Sequence, residues 1–282
     1  MKQSILFFLL MMISLNTIAQ KTRVSIASGA SAYFGDIIDM PKINDFHPAV
    51  TVEGSVDISP ILRLRLSASG MSISGDDKYS SLVSHKKRNL NFFSNIWDIN
   101  LAVEYDLNDE SEHLIIPYAF FGPGVFGFNP ETKNPFTGNW VALQPLGTEG
   151  QGLLAFPERK SYSLTQMNIG FGGGIRMALN KAFQLSTEIF VRYTFTDYLD
   201  DISNRNYVDP IYFQNEGKLL SQKLSYRGDE YPINLSYEQK YLRRANDISF
   251  DLFYSAQIKL SYVVGNRFGN KNTTTKCLSN LW

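Results

Sequence analysis

The chain has 282 residues with 27 Lys plus Arg balanced by 27 Asp plus Glu, so no basic excess advertises nucleic acid. Cys277 is the single cysteine, which excludes an internal disulfide and a cysteine-rich metal knot. Aromatic residues reach 13%, with 15 Tyr and 20 Phe, yet beyond the N-terminus no apolar run approaches the roughly 18 residues of a membrane-spanning helix.

Met1-Lys2-Gln3-Ser4 is followed by an apolar run from Ile5 to Ile13 and by small residues at Thr17 and Ala19. A positive start, a short apolar core and a small-residue site predict a secretory signal peptide over 1–19, cleaved after Ala19. An exported, aromatic-rich chain without spanning helices is either a soluble β-sandwich or an outer-membrane barrel.

Strand periodicity then runs through the chain. Val24 and Ile26 share a face with Ala30, Ala32 and Phe34, opposite Ser25, Ala27, Gly29 and Ser31. Val50, Val52, Val56 and Ile58 alternate with Thr51, Glu53, Ser55 and Asp57, and Leu62 to Ala68 alternate with Arg63, Arg65 and Ser67. Phe93 and Trp97 to Leu107 oppose Ser94, Asp98, Asn100, Glu104 and Asp106. Tyr118, Phe120, Phe126 and Phe128 lie in a fifth segment broken up by glycines. Met167 to Leu179, Phe183 to Phe195 and Phe250 to Val264 complete eight period-two segments. Several exceed the 9–11 residues that a tilted strand needs to cross a bilayer, whereas soluble strands usually hold about 5–6. Their ends carry Tyr33, Phe34, Phe92, Phe93, Tyr193, Phe195 and Tyr262, which read as interfacial girdles.

The expected fold is therefore all-β: an eight-stranded antiparallel transmembrane outer-membrane barrel over 20–264, with a periplasmic tail over 265–282. Connections alternate as such a barrel requires. Short turns fall at Ser59-Pro60, Asn108 to His113 and Asn180-Lys181; long loops fall at 35–46, 75–89, 129–162 and 196–246. With the N-terminus periplasmic, every short turn lies in the periplasm and every long loop outside.

Eight strands leave a lumen that side chains just fill. Mixed charges on the polar faces predict a packed, paired interior rather than a passage, with the glycines of "GFGGGIR" making room for long side chains. His47, His85 and His113 supply no evident triad, and His85 lies in "SHKKR", read as a solvated basic stretch. Asp197, Asp200 and Asp201, with Asn204 and Asp209, read as a solvated acidic loop rather than a Ca²⁺ site, because the spacing matches no known loop. No catalytic, cofactor-binding or metal-ligating set is expected. The fourth long loop carries Tyr198, Tyr207, Tyr212, Tyr226, Tyr231, Tyr237 and Tyr241 and serves either as an interaction surface or as a cap on the barrel mouth. The basic tail, with Arg267, Lys271 and Lys276, is either a disordered end or a handle for a periplasmic partner.

Four stretches carry a family likeness: "GASAYFGDI" (29–37), "PYAFFGPGVFGFNP" (117–130), "NWVALQPLGTEGQG" (139–152) and "KCLSN" around Cys277. Together they resemble the PorG-like outer-membrane barrels of the Bacteroidetes, components of the type IX secretion system and their relatives. The resemblance implies no enzymatic role. It implies a structural part that ties a periplasmic ring, built from the PorK lipoprotein and PorN, to the outer membrane. Expected partners are outer-membrane lipid, those ring proteins and other secretion-system barrels. It singles out Tyr33, Gly35 and Asp36 in the first strand motif. In the loop motif it singles out Trp140, Pro145, Leu146, Gly147, Thr148, Glu149, Gly150, Gln151 and Gly152. Topology adds Ser59, Pro60, Asn108, Asp109, Asn180, Lys181, Arg267, Lys271, Lys276 and Cys277 as candidate periplasmic contacts. Glu149 is expected to meet a base such as Arg159, or a backbone amide.

Overall fold

A computed structural model describes residues 21–38, 42–110, 113–204, 206–230, 243–245 and 250–264. The signal peptide, the tail with Arg267, Lys271, Lys276 and Cys277, and Tyr231, Tyr237 and Tyr241 lie outside the described residues.

Eight long strands close a barrel: β1 (Thr22–Phe34), β2 (His47–Asp57), β3 (Leu62–Asp76), β4 (Asn91–Asp106), β5 (Ile115–Gly127), β8 (Thr165–Ala178), β9 (Phe183–Thr194) and β10 (Leu252–Val264). Neighbours pair antiparallel in the order β3-β2-β1-β10-β9-β8-β5-β4, and the pairing of β3 with β4 completes the ring. Closure leaves no open edge among the spanning strands, the condition for a sheet in hydrocarbon. Between β5 and β8 the long loop contains a small hairpin that sequence periodicity does not announce, β6 (Pro130–Lys133) and β7 (Trp140–Ala142), with β6 laid against β4. Among the described residues three short helices decorate the outer loops: α1 (Val83–Arg88), α2 (Pro210–Asn215) and α3 (Leu219–Ser225).

The polarity of the wall is inverted relative to a soluble protein. Outward side chains such as Val52 (55%), Phe121 (60%), Met167 (62%) and Ile258 (62%) are exposed, while Arg65, Asp98, Glu104 and Arg192 point inward and are buried. A wall that is apolar outside and charged inside is stable only where lipid replaces water on its outer face. The chain is an outer-membrane β-barrel.

β3 and β4 also mark where the wall leaves the bilayer. Along β4 the outward face is apolar from Leu107 to Trp97, a span of roughly 25 Å at ~3.4 Å per residue and the usual strand tilt. Above Trp97 the two faces exchange character. Asn95 and Ser72 now point outward and hydrogen-bond to each other at 2.7 Å, whereas Ile96, Phe92, Met71 and Ile73 point inward and are buried. These inward residues join Tyr33, Phe126, Phe253, Leu143, Leu199 and Ile202 in the main apolar cluster. The barrel thus has two interiors: a charged one within the membrane and an apolar one above it, built from the strand tips and the outer loops.

The structure assigns the faces of β5 and corrects one expectation about the girdles. On β5, Tyr118, Phe120 and Phe126 face the interior, and Phe121 and Val125 belong to the opposite, outward side. Both faces of this strand are apolar, so alternation alone does not reveal which is which. Tyr33 and Phe92 are likewise no girdle residues. Their rings meet edge to face at 5.0 Å inside the cap, leaving Phe93, Tyr193, Phe195 and Tyr262 toward the outside.

Candidate functional site

Inside the membrane span, strands of alternating character bring charges of both signs to one axis. Arg65 on β3 contacts Glu53 on β2 at 2.7 Å, Glu188 on β9 at 2.9 Å and Glu104 on β4 at 3.2 Å, and Lys259 on β10 reaches Glu188 at 2.8 Å. Below them Arg63 holds Asp57, Glu104 and Asp106, and Arg176 holds Glu104 and Asp106. Above them Arg192 meets Asp98 at 3.2 Å, and Asn168 donates to Asp98 at 2.8 Å. Between these layers the guanidinium of Arg65 lies 3.9 Å from the centre of the Phe120 ring, and that of Arg192 lies 3.6 Å from the Phe190 ring. The inward glycines of β8 make room for rings rather than for charges: a Cβ at Gly172 would strike Phe120, and one at Gly170 would strike Phe190.

The periplasmic end closes through a residue that sequence reasoning overlooked. Glu110, in the turn between β4 and β5, curls into the mouth and pairs with Arg23, Arg63 and Arg176. Its neighbours Asn108 and Asp109 are half-buried. Ser59 caps its turn by accepting the Leu62 N–H at 3.1 Å, and Asn180 accepts the Ala182 and Phe183 N–H groups at 2.8 and 2.9 Å. Pro60 and Lys181 stay exposed. The turn residues proposed as partner contacts therefore split into structural caps, Ser59 and Asn180, and free surface, Pro60 and Lys181.

At the outer end both sequence motifs converge on the root of the fourth loop. In the loop motif, Gln144, Pro145 and Leu146 form a single 3-10 turn that ends in Gly147, which is left-handed at a φ of 60° and where a Cβ would strike the carbonyl of Gln151. That turn aims Thr148 and Glu149 inward, where they are 0% and 1% exposed. The Glu149 carboxylate accepts the backbone N–H of Ser203 at 3.0 Å and of Asn204 at 2.9 Å, together with the Asn204 side-chain amide at 2.5 Å. Arg244 supplies the countercharge at 3.3 Å and also donates to Thr148 at 2.9 Å. Arg159 does approach Glu149, but it donates to the backbone carbonyl, at 2.6 Å, and not to the carboxylate. Gln151 folds back to accept the Glu149 N–H at 3.0 Å, and the Gly152 carbonyl accepts from Lys218 at 2.8 Å. Leu146 packs against the main apolar cluster, and Val208 touches the Cβ position of Gly150. Trp140 stands apart: 55% exposed on the rim, its ring lies 5.7 Å from that of Phe93.

The first-strand motif reaches the same place. The Tyr33 hydroxyl lies 2.6 Å from Asp200 Oδ2 and 3.1 Å from Asp251 Oδ1. Gly35 is a space requirement, since a Cβ there would collide with the Tyr33 hydroxyl and with Asp251. The Asp36 carbonyl accepts from Arg88 at 2.8 Å.

Two readings of these loops are overturned. The acidic run is no solvated loop: Asp200 and Asp201 are each 2% exposed, because Tyr33, Thr148, Tyr162 and Arg244 from other segments surround them. Burial pushes Asp201 up to about 6 despite Arg244, and burial with the nearby Asp36 raises Asp197 to about 7. The "SHKKR" stretch is not wholly solvated either, because Arg88 turns in to hold Asp77 through two hydrogen bonds of 2.8 and 2.7 Å. Through the cap runs a column of stacked rings: Phe126 on Phe128 at 5.6 Å, Phe128 on Tyr162 at 6.1 Å, and Tyr162 on Tyr198 at 4.5 Å. The tyrosines of the fourth loop thus act in part as a lid, with Tyr198 in the column. His47 bonds Ser74 and His85 contacts Ser80, so these two histidines have separate surroundings.

Residues 2–134 match a family described as a domain of unknown function, DUF6089. No curated protein matches the chain. Among solved structures the chain is similar to Neisserial surface protein A, at 8% identity and a TM-score of 0.41, covering 88% of this chain and 98% of that one. It is similar to Ail, the attachment invasion locus protein of Yersinia pestis, at 7% identity and 0.42, covering 88% and 100%. It is also similar to a major outer membrane protein from Thermus thermophilus, at 14% identity and 0.41, covering 86% and 99%.

Proposed function

We propose that this barrel is a structural component of the type IX secretion system, fixing a periplasmic ring of PorK and PorN type to the outer membrane. The supporting observation is the lumen, which ion pairs fill from Glu110 at the periplasmic mouth to Arg192 and Asp98 beneath the cap. An interior committed to pairing its own charges suits a rigid anchor: lipid grips the outer wall, and the periplasmic turns and tail remain for a partner. The motif resemblance supplies the identity of that partner. Removal of 265–282 from the native protein is expected to reduce recovery of ring proteins by roughly tenfold, about 1.4 kcal/mol of binding, while the barrel keeps its heat-dependent gel shift. Undiminished recovery would remove the tail from the account, and absence of ring proteins from wild-type preparations would overturn the anchoring role.

A second reading, an outer-membrane binding protein whose loops recognise a surface polymer or partner protein, draws on one feature. Leu154 (88%), Leu219 (62%), Ile211 (47%) and Tyr212 (40%) present exposed apolar surface on the outer loops. Trimming 196–246 separates the two readings, because anchoring survives that loss and outer recognition does not.

A further inference from the structure

The contact of Tyr33 with two acids raises a question of proton count. A phenol carries one hydrogen, yet its oxygen lies within hydrogen-bonding distance of Asp200 Oδ2 and Asp251 Oδ1. Asp200 Oδ1 already accepts the Ile202 N–H at 3.0 Å, and Asp251 Oδ2 already accepts the Leu199 N–H at 2.9 Å. Were both carboxyls ionised, the three oxygens would share a single proton, and one of the two contacts would set lone pair against lone pair. A second proton resolves this, and the shorter contact, 2.6 Å to Asp200 against 3.1 Å to Asp251, marks Asp200 as the charged acceptor. Asp251 as a neutral acid donates from Oδ1 to Tyr33, Tyr33 donates to Asp200, and Asp200 remains the carboxylate.

The surroundings favour holding that proton. Tyr33, Asp200 and Asp251 are 0%, 2% and 0% exposed. The charged groups that act on the three are Asp36 after β1, Asp197 of the fourth loop and Arg88 of the second. Arg88 is engaged with Asp77, and Arg244 is engaged with Glu149 and Thr148. Burial, followed for Asp200 by repulsion from Asp251, raises both acids well above the usual carboxylate range. An acid raised in the folded cap stabilises it fully in acid, and that contribution is lost as pH climbs from the ordinary carboxylate range through the raised value.

We propose that Tyr33, Asp200 and Asp251 form a proton-held latch that pins the root of the fourth outer loop to the barrel mouth and releases it when the shared proton is lost in alkaline medium. The latch ties strand β1, the base of β10 and residues 199–202 in one relay. Its release frees the segment that covers the stacked rings and the small cavity between Leu143, Ile202, Leu224 and Arg244. The outer face thereby acquires two states set by external pH.

The test is amide hydrogen exchange of the full chain in detergent micelles from pH ~5 to ~10, corrected for intrinsic rates and read on a peptide spanning 196–204. Wild-type protection is expected to fall by about tenfold or more across the range. Asp251→Asn is expected to stay protected throughout, because its amide nitrogen donates permanently to Tyr33 while its oxygen accepts from Leu199. Asp200→Asn is likewise expected to lose the pH dependence, because its amide nitrogen can donate to Tyr33 while its oxygen accepts from Ile202, and Tyr33 then donates to the Asp251 carboxylate. Flat wild-type protection would overturn the latch, as would an Asp251→Asn variant as pH-sensitive as wild type. If Asp251→Asn fails the gel-shift test of folding, Tyr33→Phe decides. The latch requires its protection to be low and to lose the alkaline transition, and retention of that transition would overturn it.

Discussion

Replacing Arg65 by methionine is expected to cost roughly 3–5 kcal/mol of barrel stability, the penalty of leaving buried charges uncompensated. Arg65 is 1% exposed and is the shared partner of Glu53, Glu104 and Glu188. With it gone, Lys259 alone bridges Glu53 and Glu188, and Glu104 leans on Arg63 and Arg176. Methionine fills most of the volume over the Phe120 ring, so the loss is electrostatic rather than a cavity. Urea unfolding from phospholipid vesicles measures it as a lower midpoint with an unchanged slope. A midpoint equal to that of wild type would mean that the network is dispensable and that the lumen tolerates uncompensated carboxylates.

The second large effect concerns the cap. Glu149→Ala strands the N–H groups of Ser203 and Asn204, leaves the Asn204 amide with Tyr198 alone, and takes from Arg244 the carboxylate at 3.3 Å, leaving it Thr148 and Asp201. Unsatisfied buried donors cost ~1–3 kcal/mol each and a buried charge that loses a partner more, so the cap is expected to lose about 3–5 kcal/mol locally. None of these contacts lies within the bilayer. Protease treatment of intact vesicles should therefore cleave the variant within 196–230 at least roughly tenfold faster than wild type, while the heat-dependent gel shift of the barrel persists. Cleavage at the wild-type rate would show that Glu149 does not hold the fourth loop.

How much of this was legible follows from the range of the interactions involved. The spanning strands and the parity of their connections are local patterns, and Val50 to Asp57 or Trp97 to Asp106 display them without ambiguity. β5 hides its orientation because apolar side chains occupy both faces, and only its pairing with the glycines of β8 brings Phe120 and Tyr118 inside. The acidic run from Asp197 reads as solvated because its partners, Tyr33, Thr148, Tyr162 and Arg244, are distant in sequence. Glu110 carries no local sign that it closes the periplasmic mouth, since a turn glutamate ordinarily faces water. The loop motif did carry a signal. A lone Glu149 among glycines, three of which have positive φ, is poor filler and a good buried acceptor; of the two partners the sequence offers, Arg159 and a backbone amide, the structure gives the carboxylate two backbone amides and adds Arg244 as the base.

The barrel is sealed at both ends, by Glu110 with its arginines below and by the latched loops above. Planar-bilayer recording of the purified full-length chain at ~1 M salt and neutral pH tests this most directly, since screening at that ionic strength reaches exposed charges but not buried pairs. The sealed barrel predicts a flat baseline without stepwise openings, in wild type and in Glu149→Ala alike, because the lumen network lies below the cap. A steady ohmic current through the wild-type protein would contradict it and would make the charged interior a pathway.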